Sequence, residues 1–201
     1  MDDLLRRRII ASYRGNLRHY GHSHEALFWS SKEAQLARFG ALAGIGIESG
    51  DSLLDVGCGF ADLYDWLNGR GIQVNYTGLD LSPDLLAEAR RLHPGLPLVC
   101  GEPFALAPKA SFDWVVLSGT LNWPMPGGIG YVLRVVSHMF ALCRKGVAFN
   151  LLDDRYRWGF ARLELQTFQP QKILDECRRI SDDCRLVDDY LDNDFTIYLR
   201  R

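Results

Sequence analysis

No stretch of the 201 residues stays apolar over the roughly 20 positions a helix needs to cross a bilayer, so a membrane span is not expected. The opening Met1-Asp2-Asp3-Leu4-Leu5-Arg6-Arg7-Arg8 sets acids before its basic run and no adequate apolar stretch behind it, which argues against a secretory signal and for the cytoplasm. A charge excess is missing too. Twenty-three Lys and Arg against 25 Asp and Glu leave −2, so there is no general positive field for a phosphate backbone and nucleic acid is not an expected partner. The one compact basic run, residues 6–8, reads as the solvated face of a first helix. The five cysteines (58, 100, 143, 177 and 184) are odd in number and scattered, without a C-x-x-C pair, which excludes a disulfide framework and a zinc knuckle. Repeats, low-complexity tracts and Pro/Ser linkers are absent, so one domain is expected over 1–201: a helical cap or lid in 1–50 and a core in 51–201.

What is present is the composition of a globular α/β protein, 47% hydrophobic and 24% charged. From Ser52 onward, short β-rich runs alternate with helix-period runs. Strands are expected at Ser52 to Val56, Val74 to Leu79, Leu96 to Cys100, Phe112 to Leu117 and Val147 to Leu152. Between them, Ser82-Pro83-Asp84 carries the cap, the first-turn proline and the acid of a helix start. Ile129 to Cys143 is apolar almost all round, with Arg144-Lys145-Gly146 reading as its C-terminal stop. Ile173, Leu174, Cys177 and Ile180 mark a further helix, and Cys184 to Tyr190 with Phe195 to Arg200 read as a closing antiparallel hairpin. Alternation of this kind gives a Rossmann-like three-layer sandwich: a seven-stranded, mostly parallel sheet with an antiparallel hairpin strand at its C-terminal end.

In such sheets ligands bind beyond the carboxyl ends of the strands. After the first strand stands Gly57-Cys58-Gly59, where lack of Cβ lets the backbone turn sharply against a ligand. After the second stands Asp80, 23 residues beyond Gly57, placed for an acid that accepts from both ribose hydroxyls of an adenosine. A dinucleotide fingerprint, G-x-G-x-x-G, would need a third glycine where this chain has Asp62, whose charge would repel a pyrophosphate.

SLLDVGCGFAD at 52–62 and TGLDLSP at 77–83 resemble the first two signature segments of the class I S-adenosylmethionine-dependent methyltransferases. The resemblance extends through Gly101-Glu102-Pro103-Phe104 and Phe112-Asp113-Trp114-Val115-Val116-Leu117-Ser118-Gly119, over most of 30–200. It implies that Gly57, Cys58 and Gly59 pass under the methionine part of S-adenosylmethionine, with Asp55 beneath it in direct or water-mediated contact. Asp80 would hold the ribose, Leu81 one adenine face, Glu102 the adenine amino group with Pro103 beside it, and Ser118, Gly119 and Asn122 the floor near the methyl. Ala61 stands where the family's third glycine lies, which requires helical angles there, and Glu102 is longer than the usual Asp. Arg38, 19 residues before Gly57, resembles the arginine that pairs with the donor carboxylate in ubiquinone-type O-methyltransferases; the other reading is a surface arginine. Trp29, Tyr13 and Tyr20 are lid candidates, against simple packing.

Methyl transfer is in-line displacement at an activated carbon, so alignment dominates and a base is optional. His22, Tyr20 and Asn122 are the candidates for a catalytic role; His19, His22 and His24 lack the acids of a metal site, and no metal is expected. The [DN]-P-P-[YFW] signature of many enzymes that methylate nucleic-acid bases or glutamine is absent after the fourth strand, which leaves a small-molecule acceptor, methylated on oxygen or nitrogen. Tyr13, Trp123, Arg155 and Arg157 are its expected contacts, the two arginines suiting an anionic or planar acceptor unless Asp153 and Asp154 neutralise them. A Rossmann oxidoreductase using NAD and a non-catalytic S-adenosylmethionine-binding module stay as alternatives.

Overall fold

Apolar runs bounded by turn residues form the seven strands of one sheet in a computed structural model that describes residues 1–156 and 165–201. These are β1 (Ser52–Val56), β2 (Asn75–Asp80), β3 (Leu98–Cys100), β4 (Phe112–Leu117), β5 (Cys143–Leu152), β6 (Asp183–Val187) and β7 (Asp194–Arg200). Their order is β3-β2-β1-β4-β5-β7-β6, with β7 antiparallel to both of its neighbours and the pairings among β1 to β5 parallel. Helices α1 (Asp3–Tyr20), α2 (Lys32–Ala43), α3 (Asp62–Asn68), α4 (Pro83–Leu92), α5 (Ile129–Leu142) and α6 (Pro170–Cys177) surround it, with short 3-10 turns at Glu25–Leu27, Pro103–Ala105 and Thr120–Asn122. The expected Rossmann-like sandwich is the observed one.

Because side chains alternate across a strand, β1 sends Leu54 and Val56 to one face and Leu53 to the other. The first face is covered by α5 and α6, which contribute Val132, Val135, Val136, Met139, Ile173 and Cys177. The second is covered by α2, α3 and α4 through Phe39, Leu42, Leu63, Leu67 and Leu86. Burial on both faces is why the central strands read as continuous apolar runs. Helix starts follow the local chemistry: Ser82 Oγ accepts from Leu85 N at 3.4 Å ahead of Pro83, and Ser31 Oγ accepts from Ala34 N at 3.1 Å.

Two local expectations are corrected. Residues 143–146 do not stop α5 as a turn but already belong to β5. Gly146 is required there by packing, since a Cβ would meet Leu199 O at 2.5 Å and the Trp114 ring at 2.9 Å. Ala61 does not take helical angles; it sits left-handed at φ 65°, ψ 30° as the N-cap of α3. An L-residue pays about 1–2 kcal/mol of strain in that region, so the alanine keeps the turn that a glycine would form without it.

Strand registers decide where the functional residues meet. Val56 pairs with Leu79 and with Leu117, and Asp80 with Cys100, so the turns after β1, β2, β3 and β4 emerge along one edge. Strand order reverses between β1 and β4, and the crevice of an open α/β sheet opens at such a reversal.

Candidate active site

A single continuous cavity of about 460 Å³ lies on that edge, within the range of small-molecule sites. Its sheet side is made by Val56, Gly57, Gly59, Leu79, Asp80 and Leu81. Gly57 and Gly59 turn through left-handed φ of 77° and 56°, and the N–H groups of Gly57 and Cys58 both donate to Leu79 O, at 2.7 and 3.1 Å. The β1 turn is thereby tied to the end of β2. Asp80 completes the tie: Oδ2 accepts from Gly59 N at 2.9 Å and Oδ1 from Ser82 N at 2.8 Å. Each oxygen keeps acceptor capacity toward the cavity that Asp80 lines. Burial raises the Asp80 carboxyl above the usual carboxylate range, and the N–H donors of Ser82, Gly59 and Leu81 oppose that rise.

Glu102 and Pro103, with Gly101, wall the next stretch. Glu102 Oε1 already accepts from Arg6 on α1, at 3.1 Å from Nε and 2.9 Å from the terminal nitrogen, so α1 is latched over this end. Ile9, Ile10 and Tyr13 of the same helix line the cavity above it.

At the opposite end stand Trp29, Arg38, Ser118, Gly119 and Asn122. Arg38 is not a surface arginine, being 3% exposed. Its Nε donates to Asp194 Oδ2 at 2.7 Å, a terminal nitrogen donates to Ala34 O at 3.2 Å, and the guanidinium lies 4.8 Å from the Trp29 ring centre. Asp194 is fixed in turn by Tyr190, whose hydroxyl donates to Oδ1 at 2.5 Å. Burial lifts the Asp194 carboxyl to about 6 even though the Arg38 charge pulls it down. Gly119 N donates to Asn150 Oδ1 at 2.9 Å, which holds the loop after β4 against β5.

Several expected residues lie elsewhere. Asp55 and Cys58 border a separate space of about 20 Å³ behind the β1 turn, together with Gly57 and Ser118. Asp55 Oδ2 accepts from the Tyr76 hydroxyl at 2.6 Å, and burial pushes its carboxyl up to about 7. The Cys58 sulfur packs over Gly78, because the alternation after β1 turns its side chain toward β2. Tyr20 and His22, expected as catalytic candidates, stand outside the cavity lining. Tyr20, at the end of α1, is 49% exposed with its ring against His19, and His22 packs edge-on against Phe60 at 4.8 Å and beside Asp62 at 3.8 Å, so neither lines the cavity. Asn122 does line it, yet its Oδ1 accepts from Leu152 N at 3.3 Å, joining the turn after β4 to the end of β5. Arg155, expected as an acceptor contact, is not in the cavity lining, and its guanidinium is held at 2.6 Å by Asp153 and 2.8 Å by Asp188. Arg157 lies outside the described residues.

Tyr13 and Trp123 do meet at the cavity, 6.3 Å apart between ring centres. Phe28 joins them, edge-on to Tyr13 at 5.2 Å and to Trp123 at 5.9 Å, and sequence reasoning missed it. Asn150, Tyr190 and Asp194 were missed as well. A polar residue inside the apolar run Val147-Ala148-Phe149-Asn150-Leu151-Leu152 was the available signal for Asn150; Asp194 had none, since its partner is 156 residues away.

A family model described as a methyltransferase domain matches residues 54–149. A protein of Mycobacterium tuberculosis named as methyltransferase Rv1506c is 29% identical over 158 residues, covering 75% of this chain and 93% of that one. Trans-aconitate 2-methyltransferase of Methylobacterium nodulans is 32% identical over 82 residues, 41% of this chain but only 32% of that enzyme. Among solved structures, magnesium protoporphyrin IX methyltransferase of Synechocystis with bound S-adenosylmethionine superposes with a TM-score of 0.68 at 14% identity, covering 100% of this chain and 98% of that one. The 1,6-didemethyltoxoflavin-N1-methyltransferase of Burkholderia thailandensis reaches 0.67 at 18% identity, covering 98% and 87%. The two structures speak for the fold; the family model, the mycobacterial relative and the paired motifs around Gly57 and Asp80 speak for the chemistry. Residues 54–149 thus match a methyltransferase domain, and the segments around Gly57 and Asp80 are similar to those of the class I S-adenosylmethionine-dependent methyltransferases.

Proposed function

We propose that this methyltransferase acts on a small-molecule acceptor, at oxygen or nitrogen, inside the one cavity that runs from Glu102 to Trp123. The supporting observation is the division of that cavity. Its charged side chains among the described residues are Asp80, Glu102 and Arg38, spaced along the sheet edge, with the Met1 ammonium beside Glu102, while the roof and far wall are largely apolar and aromatic. Two acids and one cation match the ribose hydroxyls, the adenine amino group and the carboxylate of S-adenosylmethionine, so the donor fits the residues present. When bound there it supplies a methyl group activated by a sulfonium.

The residues of the chain bind and orient. Asp80 accepts from the ribose with the lone pairs left free by Gly59 and Ser82. Leu81 and Pro103 flank the adenine, and Glu102 accepts its amino group through the acceptor capacity left on Oε2, which lies 3.5 Å from the Met1 ammonium, Oε1 being shared with Arg6. Arg38, immobilised by Asp194 and stacked on Trp29, receives the donor carboxylate. Gly57 and Gly59 run beneath the methionine, and Ser118, Gly119 and Asn122 form the floor. So held, S-adenosylmethionine would supply an activated methyl for in-line transfer to the acceptor, whose proton would leave to solvent. Alignment of the reacting atoms supplies most of the rate, so no dedicated base is required.

Release of S-adenosylhomocysteine from S-adenosylmethionine, measured against a panel of small metabolites, tests this reading. Acceptor-dependent release is expected from at least one low-molecular-weight class. Release only with protein or nucleic-acid acceptors would overturn it.

A further inference from the structure

The acceptor end of the cavity is built from rings. Tyr13 comes from α1, Phe28 from the turn that precedes α2, and Trp123 from the loop after β4, three segments that only the fold brings together. Phe28 carries two marks of a site residue. It is held left-handed at φ 62°, ψ 21°, a conformation bulky side chains rarely adopt, and half of its surface is exposed at the cavity rim. Met125, Tyr131, Val135 and Ile9 continue the same apolar lining.

Charge decides what this end can hold. The three charged side chains that line the cavity among the described residues are all assigned to the donor, and Arg155, the cation expected here from sequence, is spent on Asp153 and Asp188. An acceptor carboxylate or phosphate placed among these rings would lose hydration and find no Lys or Arg side chain of the described lining left to pair with it. From this lining we infer that the acceptor is an uncharged, flat aromatic or heteroaromatic molecule seated against Trp123, Phe28 and Tyr13. The inference rests on the reading of the cavity as a joint donor and acceptor site.

Tyr13 adds a polar handle of matching kind. Its hydroxyl is buried, and desolvation pushes it up to about 12, with the Trp123 indole as its hydrogen-bond partner. Desolvation outweighs the lowering effect of the indole N–H, so the phenol keeps its proton at neutral pH, and because the indole can only donate, that proton is left to offer to an oxygen or nitrogen of the acceptor. Tyr13 therefore orients the acceptor and does not serve as its base.

The test is equilibrium binding of 2-naphthol and of trans-aconitate to protein saturated with S-adenosylhomocysteine, followed by calorimetry. 2-Naphthol should bind, and trans-aconitate should show no heat at the same concentrations. Trp123→Ala should weaken 2-naphthol at least tenfold while S-adenosylhomocysteine affinity stays within about threefold, and Trp123→Phe should retain most of the binding. If Trp123→Ala does not fold, Phe28→Ala at the exposed rim carries the same comparison. Tighter binding of trans-aconitate than of 2-naphthol, or 2-naphthol affinity indifferent to both alanine variants, overturns the inference. Failure of S-adenosylhomocysteine to bind the parent would instead strike the donor reading; its binding without 2-naphthol strikes only this one.

Discussion

The two ends of one cavity are specified in different ways. At the donor end the determining residues sit at strand ends or within a few positions beyond them: Gly57 and Gly59 after β1, Asp80 as the last residue of β2, Glu102 after β3, Ser118 after β4. Parallel register then aligns those turns, so a short motif is enough to announce the site. At the acceptor end Tyr13, Phe28 and Trp123 come from three segments, and no local pattern relates them. Backbone-built sites can be read along a chain, whereas sites assembled from side chains on separate elements need the fold.

The largest effect should come where the two ends share a structural anchor. Arg38→Ala leaves Asp194 buried and unpaired, which costs about 3–5 kcal/mol of stability at pH 8. Asp194 already titrates near 6 with Arg38 present, so in the variant the cost should shrink as pH falls and the carboxyl takes up its proton. Urea unfolding of the two proteins at pH 8 and pH 5.5 checks both statements. An unchanged midpoint would return Arg38 to a peripheral role.

Asp55 sharpens the comparison from beneath the donor turn. Its folded pKa is raised to about 7, against about 3.9 in an unfolded chain, so the folded state holds a proton that the unfolded state has lost. Its stabilising effect is complete below about pH 4 and disappears as pH rises to about 7, at up to about 1.4 kcal/mol per pH unit. Asp55→Asn should flatten that part of the stability profile between pH 4.5 and 7.5. A slope equal to the parent's would remove Asp55 as its source.

Ala61→Gly relieves the left-handed strain beside the donor turn and should raise stability by about 0.5–1 kcal/mol, after the larger unfolded-state entropy of glycine is subtracted. A lowered melting temperature would count against the strain. The smallest effect on turnover is expected at Arg155, whose exposed guanidinium is held by buried Asp153 and by exposed Asp188. Arg155→Ala should leave the acceptor KM unchanged; a rise of tenfold or more would bring that segment back into the acceptor site.

Legibility followed the same division. The sheet, its hairpin and the placement of Asp80 were readable because apolar period and glycine turns are local signals. The stop after α5 was misread because Gly146 looks like a turn, when the Trp114 ring and the β7 backbone demand the missing Cβ. Arg38 was found by its spacing from Gly57, yet its grip by Asp194 and Tyr190 joins opposite ends of the chain. Arg155 misled because charge and aromaticity in one hexapeptide do not say which way a guanidinium points.

The donor assignment is tested most directly by titrating S-adenosylhomocysteine into the parent and into Asp80→Ala. Loss of the charge-assisted ribose bonds should weaken binding by about 30- to 1000-fold, roughly 2–4 kcal/mol, with the variant still folded. Equal affinity in the two proteins would contradict the account.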